Sequence, residues 1–158
     1  MKNEARPENL WLHQFLGDWT YEADCFMGPG KPREIFRGKE SVGKLGDYWV
    51  VGQGEGEMPG GSTGHTLLTL GFDKDQGYVG TWVGSMMSRL WVYAGKMDES
   101  GKMLTLECEG PNFLGEGTAF FRDIHTLHTP DHRSISSYSQ GADGEWTEFM
   151  TAQYRRVG

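Results

Sequence analysis

The sequence predicts an all-β protein: an antiparallel up-and-down barrel of about ten strands, with a short helix ahead of the first. Three observations predict it. From Trp19 onward apolar and polar residues alternate with period two, the signature of a strand with one buried face. Clusters of Gly, Pro and Asp that favour turns recur at hairpin spacing. No helical pattern long enough for a crossover lies between them, so consecutive strands must pair antiparallel.

The elements follow in order. Leu10, Phe15 and Leu16, with Trp11, form an apolar side over Pro7 to Leu16, and Gly17 stops that helix. The first strand sets Trp19, Tyr21, Ala23 and Cys25 on one face and Thr20, Glu22 and Asp24 on the other. Further strands are expected at Arg33–Lys44, Tyr48–Glu57, Thr63–Phe72, Tyr78–Ser85, Leu90–Met97, Met103–Glu109, Gly117–Leu127, His132–Ser139 and Trp146–Arg156. Turns such as Gly28-Pro29-Gly30, Pro59-Gly60-Gly61, Asp98-Glu99-Ser100-Gly101 and Ala142-Asp143-Gly144 separate them. The run Gly52-Gln53-Gly54-Glu55-Gly56 matches no phosphate-binding loop, since Glu57 and Pro59 stand where a closing glycine belongs; bulges or a mobile hairpin are expected there.

The 158 residues fit a single domain over 1–158, and 37% hydrophobic with 13% aromatic residues supply a core that needs no staple. A net charge of −7 repels phosphate backbones and anionic lipid, so neither nucleic acid nor membrane is an expected partner. The segment Met1 to Glu8 lacks the apolar region of a secretory signal, and no run approaches the ~20 residues of a spanning helix. The expectation is a cytoplasmic protein with Cys25 and Cys108 as free thiols. A homodimer is compatible with this composition.

Candidate chemistry is sparse. Asp73, Asp98, Asp131 and Asp143 fall in turns, where Asp is a routine turn former. His125-Thr126-Leu127-His128 resembles a metal-binding spacing, but the odd offset on a strand sends the rings to opposite faces. There is no G-x-S-x-G elbow, so no catalytic residue, metal or cofactor is assigned. On the last strand Trp146, Met150, Ala152, Tyr154 and Arg156 are read as one side. Closing the barrel would bring Arg156 over Trp19 as a cation–π contact. Arg122 shares a face with Phe120 and Ile124 and, if buried, needs either a structural partner or a ligand's acid group.

Gly17-Asp18-Trp19 after a short helix is similar to the G-x-W start of lipocalin-type barrels. More closely, the chain resembles a bacterial lipocalin-like (calycin-type) family, domain-of-unknown-function family fifteen seventy-nine. The resemblance rests on Phe15 to Trp19, Gly71-Phe72-Asp73, Trp82-Val83 with Ser85-Met86, Gly95 with Asp98, Arg122, and Met150 with Tyr154 and Arg156. It implies a ten-stranded barrel with a central cavity and no known reaction. Gly84 and Thr151 stand where relatives often carry acids.

The function expected is binding of an apolar or amphipathic, even acidic, small molecule. Tyr21, Trp82, Ser85, Met86, Arg122, Tyr138 and Met150 are the expected lining, with Arg122 orienting an acid or carbonyl. Two alternatives stand beside it. One is an isomerase or hydrolase acting on an apolar substrate in the same cavity, dependent on Arg122 and Tyr138. The other is a haem barrel of the nitrobindin kind with His125, His128 or His132 as axial ligand.

Overall fold

The structure, a computed structural model, describes residues 4–157, so the first three residues of the Met1–Glu8 segment and Gly158 lie outside the described residues. Ten strands close into one antiparallel barrel in which every neighbour but one is also a neighbour in sequence. They are β1 (Gly17–Cys25), β2 (Glu34–Leu45), β3 (Trp49–Glu57), β4 (Thr63–Asp73), β5 (Gly77–Gly84), β6 (Trp91–Met97), β7 (Met103–Pro111), β8 (Thr118–Thr129), β9 (His132–Gln140) and β10 (Trp146–Arg156). The exception is the seam, where β1 pairs with β10 and Trp19 lies opposite Arg156.

The chain enters through α1 (Pro7–Trp11), which tightens into a 3₁₀ turn over Leu12–Phe15. That tightening changes which residues face inward. A 3₁₀ turn advances about 120° per residue where an α-helix advances about 100°. Leu12 and Phe15 are therefore buried, while Leu10 is half exposed instead of joining the apolar side. Asn9 is buried as well, donating from its amide to the carbonyls of Tyr48 and Phe72 and so tying the helix to β4 and the loop before β3. The helix and turn plug one end of the barrel.

Trp19, the first buried residue of β1, is only 1% exposed. Its indole N–H donates to the Phe15 carbonyl at 2.8 Å. The Arg156 guanidinium carbon lies 4.2 Å from the ring centroid, and the same guanidinium donates to the carbonyls of Leu16, Gln14 and Pro130. Gly17 makes that arrangement possible. Its φ is +119°, and an added Cβ would meet Arg156 Nη1 at 2.5 Å.

The three glycines of β3 lie in regular pairing with β2 and β4, without the bulge expected from sequence. Gly52, Gly54 and Gly56 all fall on the inward face, where they leave room for neighbouring side chains: Glu40 against Gly52, Thr66 against Gly54, and Tyr21 against Gly56 and Gly38. Register shifts occur instead in β8, between Leu127 and Thr129, and in β10, between Glu148 and Met150. The shift in β10 turns Trp146 outward, away from the face of Met150, Ala152 and Tyr154, where it stacks on Arg122.

Trp19→Ala should lower stability by about 3–5 kcal/mol, the range for deleting a packed aromatic. Trp146→Ala, on the outer face, should cost much less. Urea unfolding midpoints for the two variants against wild type check this; equal losses would show that the seam does not depend on Trp19.

Candidate functional site

The barrel interior is built in three levels. At the plugged end sits an ion pair. Arg133 on β9 is 1% exposed and donates to Glu40 on β2 at 2.5 Å. Its guanidinium carbon also lies 4.1 Å from the Tyr154 ring, 4.5 Å from Trp19 and 5.0 Å from Phe15. A buried guanidinium is tolerable only with its charge answered, and here a carboxylate and three ring faces answer it. Arg133 Nε and His125 Nδ1 remain buried without partners. Burial, with Arg133 nearby, holds the His125 pKa down at about 3, so its ring is neutral.

The middle level is a second polar group. Asp123 on β8 accepts hydrogen bonds from the Tyr93 hydroxyl at 2.7 Å and from the Ser137 hydroxyl at 2.6 Å. Alternation on β8 points Asp123 inward with Phe121, His125 and Leu127, which are all buried. Desolvation raises its pKa, against the lowering effect of the two hydroxyls. Cys108 lies close by, and burial pushes its thiol up to about 12, with Asp123 adding to the shift. Burial, then the charge of Asp24, raises the Cys25 thiol too. Both cysteines are free, and neither environment favours a thiolate nucleophile.

The third level is the end away from the plug. Here several inward-facing side chains keep accessible surface: Tyr21, Phe36, Trp82 and Met150 are only partly buried. Tyr21 lies along the wall against Gly38 and Gly56, with its ring 5.0 Å from that of Tyr154. Met86 stands at the rim beside Gly64 and Gly84, so Tyr21, Trp82, Met86 and Met150 converge on this end. Aromatic rings and thioethers dominate it.

Three expected lining residues are elsewhere. Arg122 lies on the outer face of β8, bridged to Glu107 at 3.2 Å and 4.1 Å from the Trp146 ring centroid. Tyr138 pairs with Arg122 and with Glu148 on that same outer face. The reason is one of phase: β8 carries aromatics at both Phe120 and Phe121, and the structure exposes Phe120 and buries Phe121. Ser85 is exposed, and its hydroxyl accepts from the His65 backbone N–H, so it fastens a strand end. The histidines named for haem do not meet the open end. His125 is beneath the plug, its ring 6.0 Å from Phe15, while His128 and His132 stack on each other outside at 4.5 Å. Among the described residues no group of three potential ligands could hold a metal.

The turn aspartates act as turn formers. Asp73 accepts from the backbone of Asp75 and Gln76, and Asp98 from Ser100 and Met103, contacts that lower both pKa values. A trough of about 1040 Å³ crosses the outside of β1–β5. It is open to solvent along the sheet, and its polar groups satisfy one another: Ser41 donates to Asp18 at 2.8 Å and Lys39 meets Glu55 at 3.6 Å. The interior is the better candidate because its polar groups are enclosed, where an unmet partner matters most.

Sequence reasoning missed Glu40, Arg133, Tyr93 and Asp123. A signal was present: each charged residue falls in phase with apolar neighbours two positions away, as in Phe121-x-Asp123 and Arg133-x-Ile135.

The sequence profile described as "Protein of unknown function (DUF1579)" matches residues 4–156, and the chain belongs to that family. No curated protein matches it. Its barrel is similar to the solved structure of Rv2717c from M. tuberculosis, at 12% identity over 98% of this chain and 100% of that one, with a TM-score of 0.69. It is similar also to the S-type phycobiliprotein lyase CPES from Guillardia theta, at 14% identity over 99% of both chains and a TM-score of 0.60. A third is EF1p2_mFAP2b bound to DFHBI, at 11% identity over 95% of this chain and 99% of that one, with a TM-score of 0.51. At such identities the likeness is one of fold.

Two predictions follow from the plugged end. The folded pKa of His125 is depressed below its unfolded value of 6.5, so its contribution is complete above pH 6.5. It is lost as pH falls toward about 3, by about 1.4 kcal/mol per pH unit, because only the unfolded chain takes up the proton. His125→Gln should flatten the stability profile between pH 6.5 and 5, as read by urea unfolding; an unchanged slope would show that another group carries it. Glu40→Gln should destabilise by about 3–5 kcal/mol by leaving Arg133 charged and unpaired, and Glu40→Met with Arg133→Leu should recover most of that loss.

Proposed function

We propose that this DUF1579 barrel binds an apolar or amphipathic small molecule at its open end, with Tyr21, Trp82, Met86 and Met150 in the wall. The observation that carries the reading is the contrast between the two ends. The plugged end is packed to near-zero exposure at Leu12, Phe15, Trp19, Leu70 and Leu104. At the other end Trp91 and Phe121 are buried, but Tyr21, Phe36, Trp82 and Met150 form an inward wall of rings and sulfur that keeps accessible surface. An apolar wall with a few enclosed polar groups is the usual make-up of a small-molecule site. Barrels of this fold include one bound to DFHBI and a phycobiliprotein lyase, which supports the capacity of the architecture for small molecules.

Binding is favoured over turnover because both interior thiols have raised pKa values and His125, the neutral imidazole inside, is covered by Phe15. With Arg122 outside, recognition of an acid group loses its expected agent. No helix among the described residues is long and apolar enough to cross a membrane. Two free thiols fit a reducing compartment, so the protein is read as a cytoplasmic small-molecule carrier, working alone or as a homodimer.

Titration with Nile red, a neutral polarity-sensitive dye, tests the site. Wild type should bind with a blue-shifted, enhanced emission. Met150→Trp should weaken binding by about tenfold or more by filling the wall, while Arg122→Ala should leave it unchanged. Equal affinity in wild type and Met150→Trp would place the dye elsewhere and sink the reading. Native mass spectrometry of protein purified from its host would then show what the site retains.

A further inference from the structure

Among the described residues of the strands, Asp123 is an acid inside the barrel with hydroxyl partners and no cation. Glu40 and Arg133 neutralise each other at the plugged end. Arg156, also at that end, donates to carbonyls and meets Asp131 outside at 3.3 Å. Asp123 has only two hydroxyl partners, Tyr93 and Ser137, one on each carboxylate oxygen. Each oxygen of a carboxylate offers two lone-pair sites, so each keeps one unused.

Its position gives those sites somewhere to point. Asp123 pairs with Ser137, Ser137 with Met150, and Met150 with Cys25, a single row across three strand junctions. Met150 and Cys25 are inward residues of the partly exposed wall. Asp123 itself keeps accessible surface although desolvation is the largest influence on its pKa. The Asp123 carboxylate therefore lies in the same row as the sulfur-bearing part of that wall, with surface still accessible to a ligand group.

Resting on the small-molecule reading above, we infer that the ligand is an apolar compound carrying an amine or similar cationic hydrogen-bond donor, and that Asp123 recognises that group while Tyr93 and Ser137 hold the carboxylate in place. An ammonium would supply both the missing counter-charge and donors for the unused lone pairs. Aromatic walls such as Trp82 and Tyr21 favour an organic cation over an anion. The inference reverses the sign of the ligand expected from Arg122, because the guanidinium is outside and the carboxylate is inside.

The test uses three probes of one shape, 4-phenylbutylamine, 4-phenylbutanol and 4-phenylbutanoate, titrated calorimetrically into wild type and Asp123→Asn. In wild type the amine should bind about tenfold or more tighter than the alcohol, and the carboxylate weakest. Asp123→Asn, which keeps the shape and removes the charge, should erase the amine's advantage while the alcohol and Nile red still bind. Three equal affinities in wild type, or a preference for the carboxylate, overturn the inference while leaving the pocket in place. A preference for the amine that survives in Asp123→Asn also overturns it, since the acidic outer surface would then be responsible. Failure of Nile red and of all three probes would remove the pocket itself. Where the variant is unstable, the wild-type comparison repeated at high salt separates the two: a preference due to the acidic outer surface is screened away and overturns the inference, while one at the enclosed carboxylate persists.

Discussion

The seam between β1 and β10 is the contact on which the rest of this barrel depends. Every other strand pair joins chain neighbours through a short connection, so its closure entropy is small. The seam joins residues more than a hundred positions apart, and Trp19 stands at its end. That one ring touches the entry turn through the Phe15 carbonyl, the last strand through Arg156, and the interior ion pair through Arg133. The plug, the seam and the buried charges thus share a single packed residue, and without it each would lose a partner.

Glycine shapes the interior as much as the large residues do. A ten-stranded barrel has a wide lumen, and packing it requires side chains that cross the floor or lie flat along the wall. Tyr21 lies flat because Gly38 and Gly56 present no Cβ beneath it, and Trp91 rests on Gly110 in the same way. The glycines that look like a loop signal in the sequence are thus the counterpart of the aromatics. Their placement on the inward face lets the wall be aromatic without filling the space in front of it.

The polar groups divide by depth. Near the plug, opposite charges are paired and caged, an arrangement that specifies geometry more than it adds stability. Half-way up, Asp123 is held by two neutral hydroxyls and faces the less tightly packed end. The two acids differ in their partners: a guanidinium for Glu40 and two hydroxyls for Asp123. The barrel interior thus holds a paired charge near the plug and an acid held by neutral hydroxyls half-way up.

The sequence by itself determined the architecture. Period-two alternation, turn residues at hairpin spacing and the absence of a crossover helix leave an antiparallel meander as the consistent answer, and the strand limits lie within about two residues of those read from it. The alignment of Trp19 with Arg156 was legible for the same reason, since both sit in phase at chain positions that a closed meander must bring together. What only the tertiary structure decided is which of two plausible faces points inward. On β8 the residues at even and odd positions are both partly apolar, and on β10 a bulge changes the phase after Glu148. Alternation reports that faces differ, and it is silent about which one the neighbouring strands cover. That choice moved Arg122 and Tyr138 outside and put Asp123 and Arg133 within, because the inward face is set by register with strands far away in sequence and not by the residues of the strand itself.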